Sequence, residues 1–332
     1  DLNHPIYVNP ASSRHMIPMD RFSFSLLPKP IVALVCATVL FGTATPLLKI
    51  LVDGMSPLIL IAFLSVGSGA GILCWMMVSD PHYAKARPPA SRRQMFLLVG
   101  TVIIGGFVAP VIQCFALVIT PAATAALLLN FEIVSTVLLA FWVFHEPADK
   151  KMGLALVLIF AGSILLGWNS DSAIGISLGA FGIILSGFFW GMDNNCMAHI
   201  TAYPPGHIAL FKVIFGGSIA AVLVIILGEH LPGINLIILA ILTGFFSFGL
   251  GLILFIVALQ GMGAARAGAI YAAAPFIGCI ASLFVFSDPL GSQFWFAVPL
   301  FVAGALIVIY EQWKLDKSAR TDDVPAGNPE RK

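Results

Sequence analysis

The sequence predicts an all-α integral membrane protein of ten transmembrane helices, arranged as two inverted five-helix repeats with both termini cytoplasmic. Three observations carry that prediction. Of 332 residues, 59% are hydrophobic and only 10% charged, against roughly 45–50% and 25% in an ordinary globular protein; too few charges remain to clothe a water-facing surface. The apolar residues gather into runs near the ~20 residues that a helix needs to cross a hydrocarbon core. The second half of the chain also repeats features of the first at a nearly fixed offset.

In chain order, residues 1–29 form an N-terminal arm that lacks the charged-then-apolar layout of a signal peptide and reads either as native chain or as an extension ahead of Met19. Ten apolar runs follow, near 31–51, 56–78, 95–117, 121–144, 152–168, 175–198, 207–228, 235–258, 264–286 and 293–311. They are separated by charges or by Gly, Pro and Asn turns, and one basic loop, Pro81 to Arg93, divides the second from the third. Residues 313–332 are polar and read as a disordered cytoplasmic tail.

Orientation follows from the cations, because cytoplasmic loops retain Lys and Arg. With the N-terminus inside, 14 of the 17 fall on the cytoplasmic side: Arg14, Arg21, Lys29, Lys85, Arg87, Arg92, Arg93, Lys150, Lys151, Lys314, Lys317, Arg320, Arg331 and Lys332. The expected external loops carry Asp53, Asp171, Glu229 and Asp288 instead, and Lys49, Lys212 and Arg266 fall within spans. The expected location is therefore the cytoplasmic (inner) membrane of the cell, with the lipid bilayer as the surrounding partner.

An offset of 142 residues lays Ala123-Thr124-Ala125 on Ala265-Arg266-Ala267, Glu146-Pro147 on Asp288-Pro289 and Ala161-Gly162 on Ala303-Gly304. Earlier in each half the offset is 148 or 149: Phe41-Gly42 matches Trp190-Gly191, Pro57 matches Pro205, Phe63 matches Phe211 and Gly69 matches Gly217. This divides the chain into a first repeat, 30–170, and a second, 171–312. Five spans per repeat is an odd number, so the second copy enters from the opposite side. Inverted repeats are the architecture of secondary transporters, with the substrate site between the repeats near the midplane.

On Phe41-Gly42, Trp190-Gly191, the run Thr120-Pro121-Ala122-Ala123-Thr124-Ala125-Ala126-Leu127-Leu128, Glu146-Pro147, and Gly263-Ala264-Ala265-Arg266 through Ala274-Pro275 to Asp288-Pro289, the chain resembles the drug/metabolite transporter superfamily in its EamA-type branch of ten-helix exporters. The resemblance covers about 30–312. It implies that spans 1, 3, 4, 6, 8 and 9 surround a central cavity. Two departures stand out: Phe63-Leu64-Ser65 where the family often has an Arg, and Asn130-Phe131-Glu132-Ile133 where it often has a Pro, kept in the second repeat as Pro275.

Charges within spans cost several kcal/mol unless paired or wet. Glu132 lies about 12 residues from either end of span 4, roughly 18 Å at 1.5 Å per residue, beyond snorkelling reach and with no cation expected at its depth. It reads either as a hydrogen-bonded structural group, with Asn130 a candidate partner, or as the wall of a wet cavity. Because an unpaired carboxylate is costly there, protons are an expected partner. Asp193 and Lys212 each lie about six residues from the turn between spans 6 and 7, so they can form an ion pair, structural or part of a gate or substrate contact. Arg266, near the end of span 9, either snorkels to the interface or serves as an anion contact or gate partner.

Further candidates lie on helical stripes: Phe41, Thr45 and Lys49 in span 1; Gln113 in span 3 beyond Gly105, Gly106 and Pro110; Trp190, Asp193, Asn194 and Met197 in span 6, followed by Asn195; and Tyr271 with Pro275 in span 9. Pro46 and Pro110 each withhold a backbone N–H from the carbonyl four residues earlier, Gly42 and Gly106.

Other function classes find little support. The net charge of +1 offers no basic field for nucleic acid. Five cysteines lie inside apolar runs, and the seven histidines sit in the arm, loops or span ends without HExxH spacing; no metal or cofactor is expected. A P-loop and a GxSxG elbow are absent from the sequence, so an enzyme is not expected and transport would be secondary, without ATP. The expected function is a secondary active exporter of a small metabolite, such as an amino acid, amine or drug-like compound, by alternating access. The alternative is a passive facilitator, channel or lipid scramblase.

Overall fold

Hydrocarbon offers no water to satisfy backbone N–H and C=O groups, so a chain this apolar must bond its backbone within helices. A computed structural model describes residues 30–78, 91–144, 150–169, 176–262, 267, 271–286 and 290–322. Within them the chain is helical apart from short connections and an isolated antiparallel bridge between Trp168 and Ile176.

The first repeat contains α1 (Pro30–Gly54), α2 (Pro57–Val78), α3 (Arg92–Ile103), α4 (Ala109–Val118), α5 (Ala122–Leu128), α6 (Phe131–Phe144) and α7 (Lys150–Gly167). The second contains α8 (Leu178–His199), α9 (Pro205–Leu227), α10 (Ile234–Thr243), α11 (Leu252–Met262), α12 (Ala274–Val285) and α13 (Ser292–Asp322). Local sequence explains the boundaries. Pro57 and Pro205 open α2 and α9, where a missing N–H costs no helical bond. Ser91 and Ser177 cap α3 and α8 by accepting from the backbone N–H groups of Gln94 and Ala180. Gly228 closes α9 in the left-handed conformation, at φ 64°, which glycine adopts without a Cβ clash.

Two π-helical stretches, Ile104–Val108 between α3 and α4 and Gly244–Gly251 between α10 and α11, interrupt the third helix of each repeat. In the first, the Ala109 N–H reaches back five residues to the Ile104 carbonyl, a local widening just ahead of Pro110. Breaks also recur in the fourth helix of each repeat, at Leu129–Asn130 and at Ala272–Ala273.

Among the described residues, seven helices are long and apolar enough to cross a membrane: Ile31–Gly54, Pro57–Val78, Arg92–Val118, Ala122–Val143, Pro205–Leu227, Ile234–Leu259 and Ser292–Glu311. The three other expected spans fall on Gly153–Gly167 and Ala274–Val285, which are apolar but shorter, and on α8, long enough but carrying Asp193-Asn194-Asn195. Large apolar side chains cover the outside, with Phe96 at 78%, Ile225 at 78% and Phe284 at 88% exposure. A surface of this kind is made for lipid, not water.

Packing repeats with the sequence. α1 lies on α12 while α8 lies on α6; α2 lies on the second π stretch while α9 lies on the first. Pairs α2 with α9 and α7 with α13 join each element to its own counterpart. Glycines fix these approaches, as expected where close packing rather than hydrophobic burial drives helix association. A Cβ at Gly42 would lie 2.7 Å from Ile277 Cβ, and one at Gly191 would lie 2.7 Å from Thr136 N and overlap Ser135 Oγ. Gly42 and Gly191 are 149 apart and Ile277 and Ser135 are 142 apart, the two offsets seen in the sequence. Gly67 of α2 abuts the Ile241 carbonyl of α10, and Gly216 of α9 abuts the Gly106 carbonyl. The Gly42 carbonyl faces Gly278, so both carbonyls flanked by prolines are covered by a glycine of the opposite repeat.

One boundary differs from expectation. The last helix runs to Asp322, so the first ten residues of the segment expected as a disordered tail continue the helix. The N-terminal arm, Pro81 to Ala90, and residues 323–332 lie outside the described residues.

Candidate functional site

Where the two repeats meet, a cavity of about 130 Å³ opens between them, close to the ~150 Å³ of an engineered cavity that admits benzene. Both repeats line it: Phe41 and Thr45 from α1, Gln113 from α4, Glu132 from α6, Trp190, Asp193 and Asn194 from α8, Lys212 from α9, Phe248 and Phe255 around α11, and Tyr271 ahead of α12. Eight of the ten candidate site residues therefore meet in one place: Thr45, Gln113, Glu132, Trp190, Asp193, Asn194, Lys212 and Tyr271.

The break at Leu129–Asn130 puts Glu132 in the first turn of α6, where its carboxylate enters the cavity half-buried. Asn194 donates from Nδ2 to Glu132 Oε1 at 2.6 Å. The α6–α8 contact is held from behind by Ser135, whose hydroxyl donates to the Gly187 carbonyl at 2.9 Å, and by Asn195, which donates to the Thr136 carbonyl at 3.0 Å.

Asp193 and Lys212 form the expected pair. The ammonium donates to Asp193 Oδ2, with Lys212 2% and Asp193 0% exposed. Thr101 donates its hydroxyl to the other carboxylate oxygen, and the carboxyl group fills the space where a Cβ on Gly105 would sit. Lys212 also lies 3.5 Å from Met197 Sδ and 5.5 Å above the Trp190 ring centroid, within cation–π range. Trp190 in turn donates its indole N–H to Gln113 Oε1 at 2.9 Å, tying α8 to α4.

The remaining wall is aromatic. Phe41 stands edge-on to Phe248, Tyr271 and Phe255, with centroids 5.9, 5.8 and 6.1 Å away, and Phe255 lies 4.6 Å from Tyr271. Edge-to-face contacts of this kind hold rings in fixed positions.

Several expectations need correction. Glu132 has a cation in its own cavity: Lys212 and Asp193 line the same space. Counting residues from the ends of straight helices assigns it a different depth from the pair, whereas the broken fourth helix and the crossing of α6 with α8 bring all three together. Asn130 is 0% exposed and absent from the cavity wall; its amide turns back to the Leu127 carbonyl at 2.9 Å and serves the helix break. Lys49 leaves the stripe of Phe41 and Thr45, donating to the Leu117 and Val118 carbonyls at 3.1 and 3.0 Å and pairing with Asp53 at 2.9 Å. There it caps the carbonyl end of α4, where a cation is favoured. Arg266 lies outside the described residues.

Sequence reasoning missed Thr101, Phe248, Phe255 and the wall serines Ser65 and Ser68. The third helix of a repeat was the place to seek polar groups one turn before Gly105, and Thr101 stands there. It also missed Glu311, 2% exposed and 3.4 Å from Lys151. No group of three or more potential metal ligands occurs among the described residues.

An all-helical bundle with a lipid-facing exterior, two repeated units and, between them, a largely apolar cavity that carries a few polar and charged groups defines a multi-pass membrane protein of the transporter class. The family model of the EamA-like transporters matches twice, over residues 28–168 and 177–310. The chain belongs to the EamA-like transporter family, within the drug/metabolite transporter superfamily. It is 25% identical over 275 residues to an uncharacterized transporter of Methanothermobacter thermautotrophicus, covering 78% of this chain and 79% of that one. A solved crystal structure shares the fold with a TM-score of 0.63 at 17% identity, over 86% of this chain and 98% of the other.

Proposed function

We propose that the protein is a secondary active exporter of a small metabolite, of the amino acid, amine or drug-like class, working by alternating access in the cytoplasmic membrane. In this reading the chain crosses the bilayer ten times with both termini cytoplasmic, and the cavity lies near the midplane between the repeats. The observation that supports it most is the half-buried Glu132 carboxylate in a cavity built from both repeats, held by Asn194 of the opposite one. A wall drawn from both repeats changes shape when one repeat rocks against the other, so cargo held there is exposed to each side in turn. Glu132 is the group through which cargo, protons or both are coupled to that motion. The residues that bind or couple are Glu132, Trp190, Asn194, Gln113, Tyr271 and Thr45, with Asp193 and Lys212 beside them.

The test is substrate exchange in proteoliposomes. Saturable flux stimulated by substrate on the far side is expected, and Glu132→Gln, which keeps shape and hydrogen bonding but fixes the neutral state, should insert normally and lose exchange. Linear, unsaturable flux would replace the carrier with a facilitator, channel or scramblase. Wild-type exchange by Glu132→Gln would return Glu132 to a structural role.

A further inference from the structure

The charges in the cavity distinguish between the cargo classes left open above. Three charge-bearing side chains among the described residues line it: Glu132, Asp193 and Lys212. Asp193 and Lys212 cancel. Both are essentially inaccessible, the second Asp193 oxygen is taken by Thr101, and Lys212 is further enclosed by Met197 and the face of Trp190. An anionic cargo group would have to displace Asp193 from Lys212 and strand a buried carboxylate, which is strongly unfavourable.

Glu132 differs on each count. It is half-buried, and one of its oxygens accepts from Asn194 while no further hydrogen bond reaches it among the described residues. Its charge is left over from the pair. In the same cavity the cluster around Phe41 supplies an apolar, ring-lined wall, and aromatic faces attract cations. The available volume, about 130 Å³, suits a body the size of one ring.

We infer that the cavity takes a monocationic amine with an apolar body, its ammonium on Glu132, and rejects the amino acid that carries the same body. The inference rests on the transporter reading and narrows its cargo. A zwitterion brings its ammonium to the same carboxylate, but its own carboxylate then lies beside Glu132, and among the described residues lining the cavity the one cation, Lys212, is already taken by Asp193. Specificity here is a repulsive element built against the competitor.

The experiment compares ligands of one body: 2-phenylethylamine as cation, phenylalanine as zwitterion, 3-phenylpropanoate as anion and 2-phenylethanol as neutral control. Binding to the purified full chain is read as thermal stabilisation in detergent, and transport as labelled amine or amino acid exchange in proteoliposomes. The amine should stabilise the protein at concentrations about tenfold or more below those needed for phenylalanine, since like-charge juxtaposition is costly. Glu132→Gln should abolish that preference and Glu132→Asp should keep it. Phenylalanine binding as tightly as the amine, no binding by the amine, or an unchanged preference in a folded Glu132→Gln would each overturn the inference. If that variant does not fold, the four-ligand series on the wild type decides. Amine binding without protein-dependent flux would leave the ligand class standing and overturn the transporter reading; amino acid flux without amine flux would do the reverse.

Discussion

Truncating Asp193 to alanine leaves the Lys212 ammonium buried without its ion-pair partner. Removing one partner of a buried pair costs about 3–5 kcal/mol, and Lys212→Met strands Asp193 in the same way. Two local terms add to the first substitution: Thr101 loses its acceptor, about 1 kcal/mol, and the space beside Gly105 that the carboxyl fills is emptied. At roughly 2–4 °C per kcal/mol for a chain this large, each single variant should melt about 6–20 °C below the wild type. The double variant strands no charge, so its loss should fall short of the summed singles by about 2 kcal/mol or more. Thermal denaturation in detergent, followed by tryptophan fluorescence, measures this directly, because Trp190 lies 5.5 Å from the Lys212 ammonium and shares its environment. If the double loss equals the sum of the singles within about 0.5 kcal/mol, the usual margin for independent sites, the pairing argument fails.

Other substitutions test the packing and the topology. Gly216→Ala and Gly67→Ala place a methyl against the Gly106 and Ile241 carbonyls; each should cost about 1–3 kcal/mol and lower the yield of monodisperse protein, while Gly69→Ala, with open space around it, should be silent. Gln113→Leu removes the acceptor for the Trp190 indole and should cost about 1–3 kcal/mol, measured by the same melting assay. In intact cells, an impermeant thiol reagent should label a cysteine at position 171 but not one at 317; the opposite pattern would invert the proposed orientation.

The repeat was legible because helix contacts constrain residue identity at fixed points. Gly42 and Gly191 survive in both copies since each meets the fourth helix of a repeat across the interface, and the helix-opening Pro57 and Pro205 survive because they define equivalent starts. Charges inside apolar runs were legible for a different reason, their cost, and that singled out Glu132, Asp193 and Lys212. The helix break at Leu129–Asn130 carries no proline or glycine, so it left no local mark, and without it the depth of Glu132 was misjudged. The aromatic wall was hidden by composition: with 26 phenylalanines in the chain, nothing distinguishes Phe248 and Phe255 from those facing lipid. Asn130 illustrates the converse, a polar residue in an apolar run whose amide is used on its own backbone.

The proposed inversion of the repeats has a consequence at both membrane faces. The turn joining the first two helices of one repeat is held by a side chain near the start of the third helix of the other. Ser56, in the turn between α1 and α2, donates its hydroxyl to Glu229, which precedes α10. In the turn between α8 and α9, Gln94 of α3 accepts from the Thr201 and Ala202 N–H groups at 2.9 and 3.2 Å and donates to the His199 carbonyl at 3.0 Å. In the proposed orientation the first latch is external and the second cytoplasmic. Alternating access requires them to release in turn, so weakening one should favour opening at its own face by the differential energy removed. Gln94→Ala removes up to three hydrogen bonds of about 1 kcal/mol each, enough to shift a balanced equilibrium by about tenfold or more toward the cytoplasmic-open state; Ser56→Ala should shift it outward by less. Accessibility of a single cysteine at the cavity residue Ser65, in an otherwise cysteine-free background, reports the direction to a thiol reagent added from either side of oriented proteoliposomes. Shifts of opposite sign in the two variants follow from a pseudo-two-fold mechanism. Shifts of the same sign would show that the two contacts merely staple the bundle, and that access is controlled elsewhere.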